Sequence, residues 1–234
     1  MGYAAGALAV SGHKALHAMR RRCAELGISS PDLQLTLFDS LVHPGLSYGA
    51  EIWATQYLLG GDNPCENLHR AFMRRTLGVR AGTPNQVVLA ELGRYALAVH
   101  WGKLTARFWS RLACMEDGRL AKQAFMLSLQ LANRVPASMP AAYHPWAAQA
   151  ANMLSMLGFT SDLNAPTLIC ADTVAKKMQD HQVRQLVACD KPKVQHYVAN
   201  VCGGVTAESY GKQEYVTAVT ARSRMVRLAQ LRTG

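Results

Sequence analysis

The chain has 234 residues, half of them hydrophobic and only 7% aromatic, with a formal net charge of +10 and a pI near 9.6. The length allows one large core or two small ones, and the apolar fraction excludes a disordered chain. The charge, spread along the sequence and not gathered in a tail, points to a polyanionic partner, most simply a phosphate backbone.

The six cysteines, Cys23, Cys65, Cys114, Cys170, Cys189 and Cys202, show no CxxC and no regular spacing. That argues against a zinc centre or a disulfide framework and predicts reduced thiols in an intracellular compartment, cytoplasmic or nuclear. No basic segment precedes the apolar start, and the uncharged stretch 135–161 is broken by Pro136, Pro140 and Pro145, so neither a signal peptide nor a membrane span is expected.

In chain order, residues 3–26 predict a helix, with Leu8, Leu16, Met19 and Cys23 at helical spacing and Gly27 as its stop. Ser30 and Pro31 restart the chain as N-cap and first helical residue. The helix that follows carries Leu33, Leu35, Leu37, Phe38, Leu41 and Val42 around most of its circumference, which predicts burial on most sides. His43, Pro44 and Gly45 end it, and the aromatics of 46–53 are expected to close a core. A turn is expected at 60–64.

Residues 65–77 predict an amphipathic helix with Leu68 and Phe72 on one side and Asn67, Arg70 and Arg74 on the other. A short helix ends at Leu92 before Gly93. Residues 95–116 give the clearest pattern in the chain, a seam of Leu97, Trp101, Leu104, Phe108, Leu112 and Met115 flanked by Lys103, Arg107 and Arg111. Another helix is expected at 119–133.

Three of the nine prolines fall in 134–145, which predicts a linker between a first domain, 1–133, and a second helical lobe, 146–234. Within that lobe, helices are expected near 146–157, 166–189, 193–201 and 211–231, the last bearing Arg222, Arg224, Arg227 and Arg232. No two-residue alternation is sustained anywhere, so the fold class is all-α.

Two-metal nucleotidyl transfer needs carboxylates placed close together, and the only adjacent acidic pair, Glu116 and Asp117, precedes Gly118 in the manner of a solvated helix end. Phosphate loops, nucleophile elbows and HExxH patterns are absent from the sequence, so no small-molecule substrate is evident and no residue is assigned a catalytic role. His13 and His17 share a helical face but lack further ligands at metal spacing. His69 reads as part of a basic face, and Tyr57, Trp101 and Trp109 as stacking surfaces or core.

The positive candidates are three basic clusters: Arg20, Arg21 and Arg22; Arg70, Arg74, Arg75 and Arg80; Lys103, Arg107 and Arg111. Arginines at a helix C-terminus also satisfy its dipole, so the first cluster has a purely structural reading too. Three arginines within six residues repel one another unless an anion is near, which favours phosphate contact for the second.

The succession 15–28, the segment 37–53 with its P-x-L-x-Y-G-x-E-x-W pattern from Pro44 to Trp53, and the F-x-R-x-x-L-G run from Phe72 to Gly78 together resemble the region just after the palm of LINE-type, non-LTR retrotransposon reverse transcriptases. The tail 224–234 is similar to the approach to that family's Cys/His-rich motif. The resemblance extends over residues 13–112 and is thin over 140–220. It implies that 1–133 is a helical thumb-like bundle gripping the RNA or DNA backbone of template and primer without sequence preference.

The family's metal-binding Y/F-A-D-D box would lie upstream of Met1. The resemblance therefore implies no catalytic residue and no cofactor in this chain, Mg²⁺ belonging only to the full-length polymerase, and no primer extension by the chain alone. The competing expectation is a helical scaffold or protein-interaction module with no nucleic-acid role.

Overall fold

The computed structural model describes residues 2–58, 63–136, 139, 140, 143–159, 163, 166–202, 204–206, 209–219 and 222–233. Among them the helices run α1 (Gly2–Glu25), α2 (Pro31–Leu41), α3 (His43–Leu46), α4 (Ala50–Trp53), α5 (Pro64–Leu77), α6 (Asn85–Glu91), α7 (Leu97–Ala113), α8 (Leu120–Ala132), α9 (Trp146–Met156), α10 (Ala171–Val187), α11 (Pro192–His196), α12 (Glu214–Ala218) and α13 (Arg222–Thr233). A 3-10 turn follows α4 at Ala54–Tyr57, and a π-helical turn follows α11 at Tyr197–Val201. The described residues form no strand, and one isolated antiparallel bridge joins Leu92 to Lys212. The protein is all-α, as its 3.6-residue periodicity predicts.

The ends of α5 show how local sequence sets these elements. Asn63 accepts hydrogen bonds from the amides of Cys65 (2.8 Å) and Glu66 (3.3 Å), and Pro64 occupies the first helical position. At the other end Gly78, at φ +73°, lets its own amide and that of Val79 return to the Arg74 carbonyl at 2.9 and 3.1 Å.

Two expected helices differ in extent for identifiable reasons. The helix expected from 166 begins only at Ala171, because the Ile169 amide and carbonyl are both bound to the Ser110 hydroxyl, each at 2.9 Å. The single helix expected over 211–231 is two, α12 and α13. Its start is held back by the Leu92–Lys212 bridge, and residues 220 and 221 lie outside the described residues.

On α2 the burial is one-sided. Leu35 and Phe38 are buried, while Leu33 and Leu41 face outward, 45% and 56% exposed. Of the turn expected at 60–64, residues 60–62 lie outside the described residues, as do 137, 138, 141 and 142 of the expected linker.

The chain divides into two compact units, each built from separated stretches: Met1–Tyr48, Asn63–Leu97 and Gln179–Gly234 in the first, Gly49–Asp62 and Ala98–Met178 in the second. Segment 134–145 falls within the second.

In the first unit α1 packs on α2, α3 and α5, and the Phe38 and Phe72 rings stack at 4.3 Å between centroids. A further cluster joins Val87 and Ala90 of α6 to Leu186, Val194 and Tyr197. The second unit has an aromatic core. Trp53 meets Trp101 edge to face at 5.2 Å, Trp109 meets Phe125 in the same way at 5.2 Å, and Trp146 lies against Phe108 at 5.3 Å.

Polar groups in that core are matched: the Trp146 indole donates to the Glu51 carbonyl (2.8 Å) and the Thr55 hydroxyl to Gln149 (2.6 Å). Trp101 and Trp109 are buried, at 1% and 0% exposure, so neither offers a stacking surface. Within 46–53, Trp53 is buried and Tyr48 is exposed.

Candidate nucleic-acid interface

The three basic clusters are treated differently by the fold. On α1, Arg21 and Arg22 both turn to Glu25, with contacts of 3.5 and 2.9 Å. Exposed pairs of this kind are weak, and two guanidinium groups sharing one carboxylate leave a net positive helix end. Arg20, one residue earlier, points instead toward α5, its guanidinium 5.9 Å from the centre of the Phe72 ring. Partial burial, and then the charge of Arg75, make its protonated form harder to hold than in water.

On α5 the arginines separate. Arg70 binds the carboxylate of Glu66, one turn earlier, at 3.1 Å. Glu66 is 4% exposed and also accepts from the Leu97 amide at 2.7 Å, while His69, itself 4% exposed, approaches it at 3.5 Å. Burial pushes the Glu66 carboxyl upward, but His69, Arg70 and the Leu97 amide together outweigh it and hold the group below the ordinary carboxylate range.

His69 is thus part of a buried ionic network and not of an exposed basic face. Arg74 donates to the Thr83 carbonyl at 3.3 Å and to Asn85, tying the following turn to the helix. Arg75 and Arg80 remain exposed.

A residue from the far end of the chain joins Arg75. Arg222, at the start of α13, donates to the Arg75 carbonyl at 3.2 Å and the Ser29 carbonyl at 3.4 Å. The negative end of the α5 dipole favours a cation there. Arg20, Arg75 and Arg222 therefore converge where the ends of α1 and α5 meet the start of α13. The ion pairs of this unit among the described residues are made by other cations, Arg21, Arg22, Arg70, Arg94, Lys212 and Arg232. Arg222 was visible in the sequence only as one of four arginines on the last helix, and nothing local linked it to Arg75.

The second unit holds Lys103 and Arg107 on α7. Lys103 pairs with Asp172 at 2.5 Å, and that contact, first, then the nearby Arg107 charge, keeps the Asp172 carboxyl low. Burial, followed by the charges of Lys103 and Arg107, disfavours protonation of His100. Arg107 is exposed, so the cluster keeps a positive balance that Asp172 reduces.

His13 and His17 are exposed on α1, and among the described residues no three His, Cys, Asp or Glu side chains gather as a metal site. No described helix is long and apolar enough to cross a membrane. No family model, curated protein or solved structure matches the chain.

Proposed function

We propose that this protein is the non-catalytic, nucleic-acid-binding thumb and C-terminal part of a non-LTR retrotransposon-type RNA-directed DNA polymerase, gripping the backbone of RNA or DNA without reading sequence. The observation that carries the reading is the meeting of Arg20, Arg75 and Arg222 from three helices, Arg20 under the charge of Arg75 and Arg222 donating to the Arg75 carbonyl, with none of the three in an ion pair among the described residues. Such a convergence costs free energy unless an anion neutralises it, and a phosphate diester takes guanidinium donors in pairs. Arg80 in the same unit, and Arg107 with Lys103 in the other, add positive charge that releases counterions from a bound backbone.

A second reading, a protein-interaction scaffold, has its own supporting observation. Ala15, Ala18, Met19, Cys23 and Leu26 of the α1 side and Leu37 and Leu41 of α2 line an apolar groove of about 400 Å³. Five of the candidate cations, Arg21, Arg22, Arg70, Arg74 and Lys103, are also held by internal partners.

Fluorescence-anisotropy titration of labelled single-stranded RNA and duplex DNA at several salt concentrations separates the readings. If about five phosphates are neutralised on duplex, log K should fall against log salt with a slope of about −4.5. Replacing Arg75 and Arg222 together by Ala should flatten that slope by about two units. Weak binding whose slope is the same in the double variant would favour the scaffold.

A further inference from the structure

We propose that Arg224 and Arg227, on the outer face of α13, are further phosphate-contacting residues that carry the basic site of Arg20, Arg75 and Arg222 onto the last helix; the proposal rests on the nucleic-acid reading above. α13 buries Met225, Ala229 and Thr233. With about 3.6 residues per turn, Arg224 and Arg227 lie on the side of the helix opposite these three, and both are exposed. Among the described residues the one ion pair made by α13 is that of Arg232 with Glu91.

The inner side of α13 is seated on the last turn of α5. Val226 lies so close to Gly78 that a Cβ there would stand 2.6 Å from it. Gln230 donates to the Gly78 carbonyl at 2.9 Å and Arg222 to the Arg75 carbonyl at 3.2 Å, so carbonyls left open at the end of α5 are met by α13 side chains. Arg224 and Arg227 therefore stand on the helix that touches Arg75, two and five residues beyond Arg222.

These two arginines stand where a helix gains nothing from them. On α1 and α5 the last turn holds Arg22, Arg74 and Arg75, and there the helix dipole favours a cation. On α13 the order is reversed: Arg222 and Arg224 fall in the first turn, which holds no acidic residue, and Arg227 follows three residues later. Cations at that end oppose the dipole, and Arg224 and Arg227, three apart, repel one another. α13 contains no Asp or Glu to offset them. A phosphate backbone does so, since a duplex brings one negative charge about every 1.7 Å along its axis.

Anisotropy titration of a labelled duplex DNA of about 20 base pairs with the full chain, at several salt concentrations, tests the assignment. Arg224→Gln with Arg227→Gln removes two charges at nearly constant helix propensity and should flatten the salt slope by about two units. Arg119→Gln with Arg134→Gln, at exposed arginines of the second unit, should leave it within about half a unit. Hydrogen exchange read by mass spectrometry gives a second measure. In the free Arg224/Arg227 variant the α13 amides should exchange about threefold more slowly than in the native chain, because charges opposing the dipole are gone. An unchanged slope in that variant, an equal flattening in the Arg119/Arg134 control, or α13 exchange that is no slower would overturn the proposal. A native chain that fails to bind the duplex would overturn the nucleic-acid reading and this assignment together. An unchanged slope here beside a flattened one for the Arg75/Arg222 variant would defeat this assignment alone.

Discussion

The Nε–H of Arg232 is shared between both carboxylate oxygens of Glu91, at 3.1 and 3.2 Å, and Glu91 exposes no surface. The Tyr215 hydroxyl donates to the same carboxylate, and Gln213 accepts from Arg232 Nη2 at 2.9 Å while its own amide donates to the Glu91 carbonyl at 3.1 Å. A buried charge stripped of its partner is costly, so Arg232→Ala should lower unfolding free energy by about 3 to 5 kcal/mol. Tyr215→Phe should cost about 1 kcal/mol, the worth of one hydrogen bond. Urea denaturation followed by circular dichroism measures both, and an Arg232 variant as stable as the native chain would contradict the pairing.

Glu66 links α5 to the start of α7, and its carboxyl is held low by His69, Arg70 and the Leu97 amide against the upward push of burial. A carboxyl lowered on folding contributes stability that is complete above its unfolded value of about 4.3 and is lost as pH falls through the folded value. Glu66→Gln should therefore be less stable than the native protein at neutral pH, and the gap should narrow as pH falls below the unfolded value. Denaturation midpoints across that range give the comparison; parallel curves would remove Glu66 from the acid response.

Arg74 and Arg75 are neighbours with opposite expected phenotypes. Arg74 binds the Thr83 carbonyl and Asn85, so Arg74→Ala should cost about 1 to 2 kcal/mol of stability with little change in the salt slope of nucleic-acid binding. Arg75 is exposed and offers α13 only its backbone carbonyl, so Arg75→Ala should alter stability by less than about 0.5 kcal/mol yet flatten the slope by about one unit. Melting curves and anisotropy titrations on both variants decide it, and equal effects would erase the distinction.

Gly93 ends the turn after α6 at φ +60°, and a Cβ there would lie 2.1 Å from the Lys212 amide nitrogen. Because the obstruction is backbone, no side-chain rotation relieves it. Gly93→Ala should cost at least about 2 kcal/mol, combining the left-handed penalty with loss of the Leu92–Lys212 bridge. A thermal shift of only a degree or two would show that the bridge gives way easily.

The helices were legible in the sequence because caps and periodicity act over four residues or fewer, as at Asn63 and Gly78. Which arc of a helix is buried was less so. On α7 the expected seam catches Leu97, Trp101 and Leu112, but Thr105, Ala106 and Trp109, each at 0% exposure, lie beside it because Phe125 and Trp146 reach Trp109 from later helices. The pairing of Arg70 was readable in principle, since Glu66 stands one turn before it. Glu91 gave no local sign, being one acid in an apolar run whose partners arrive from α12 and α13. The meeting of Arg75 with Arg222 was hidden for the same reason.

Interleaving of the two units has a consequence during translation. The second unit is complete in sequence once Met178 has been made, whereas the first needs α11, α12 and α13. At roughly 5 to 20 residues per second the ribosome leaves an interval of several seconds in which the tryptophan-rich core can close while Glu91 still has no counter-ion. A stop codon in that interval would yield a product with one half able to fold and the other holding an acid that only water can satisfy.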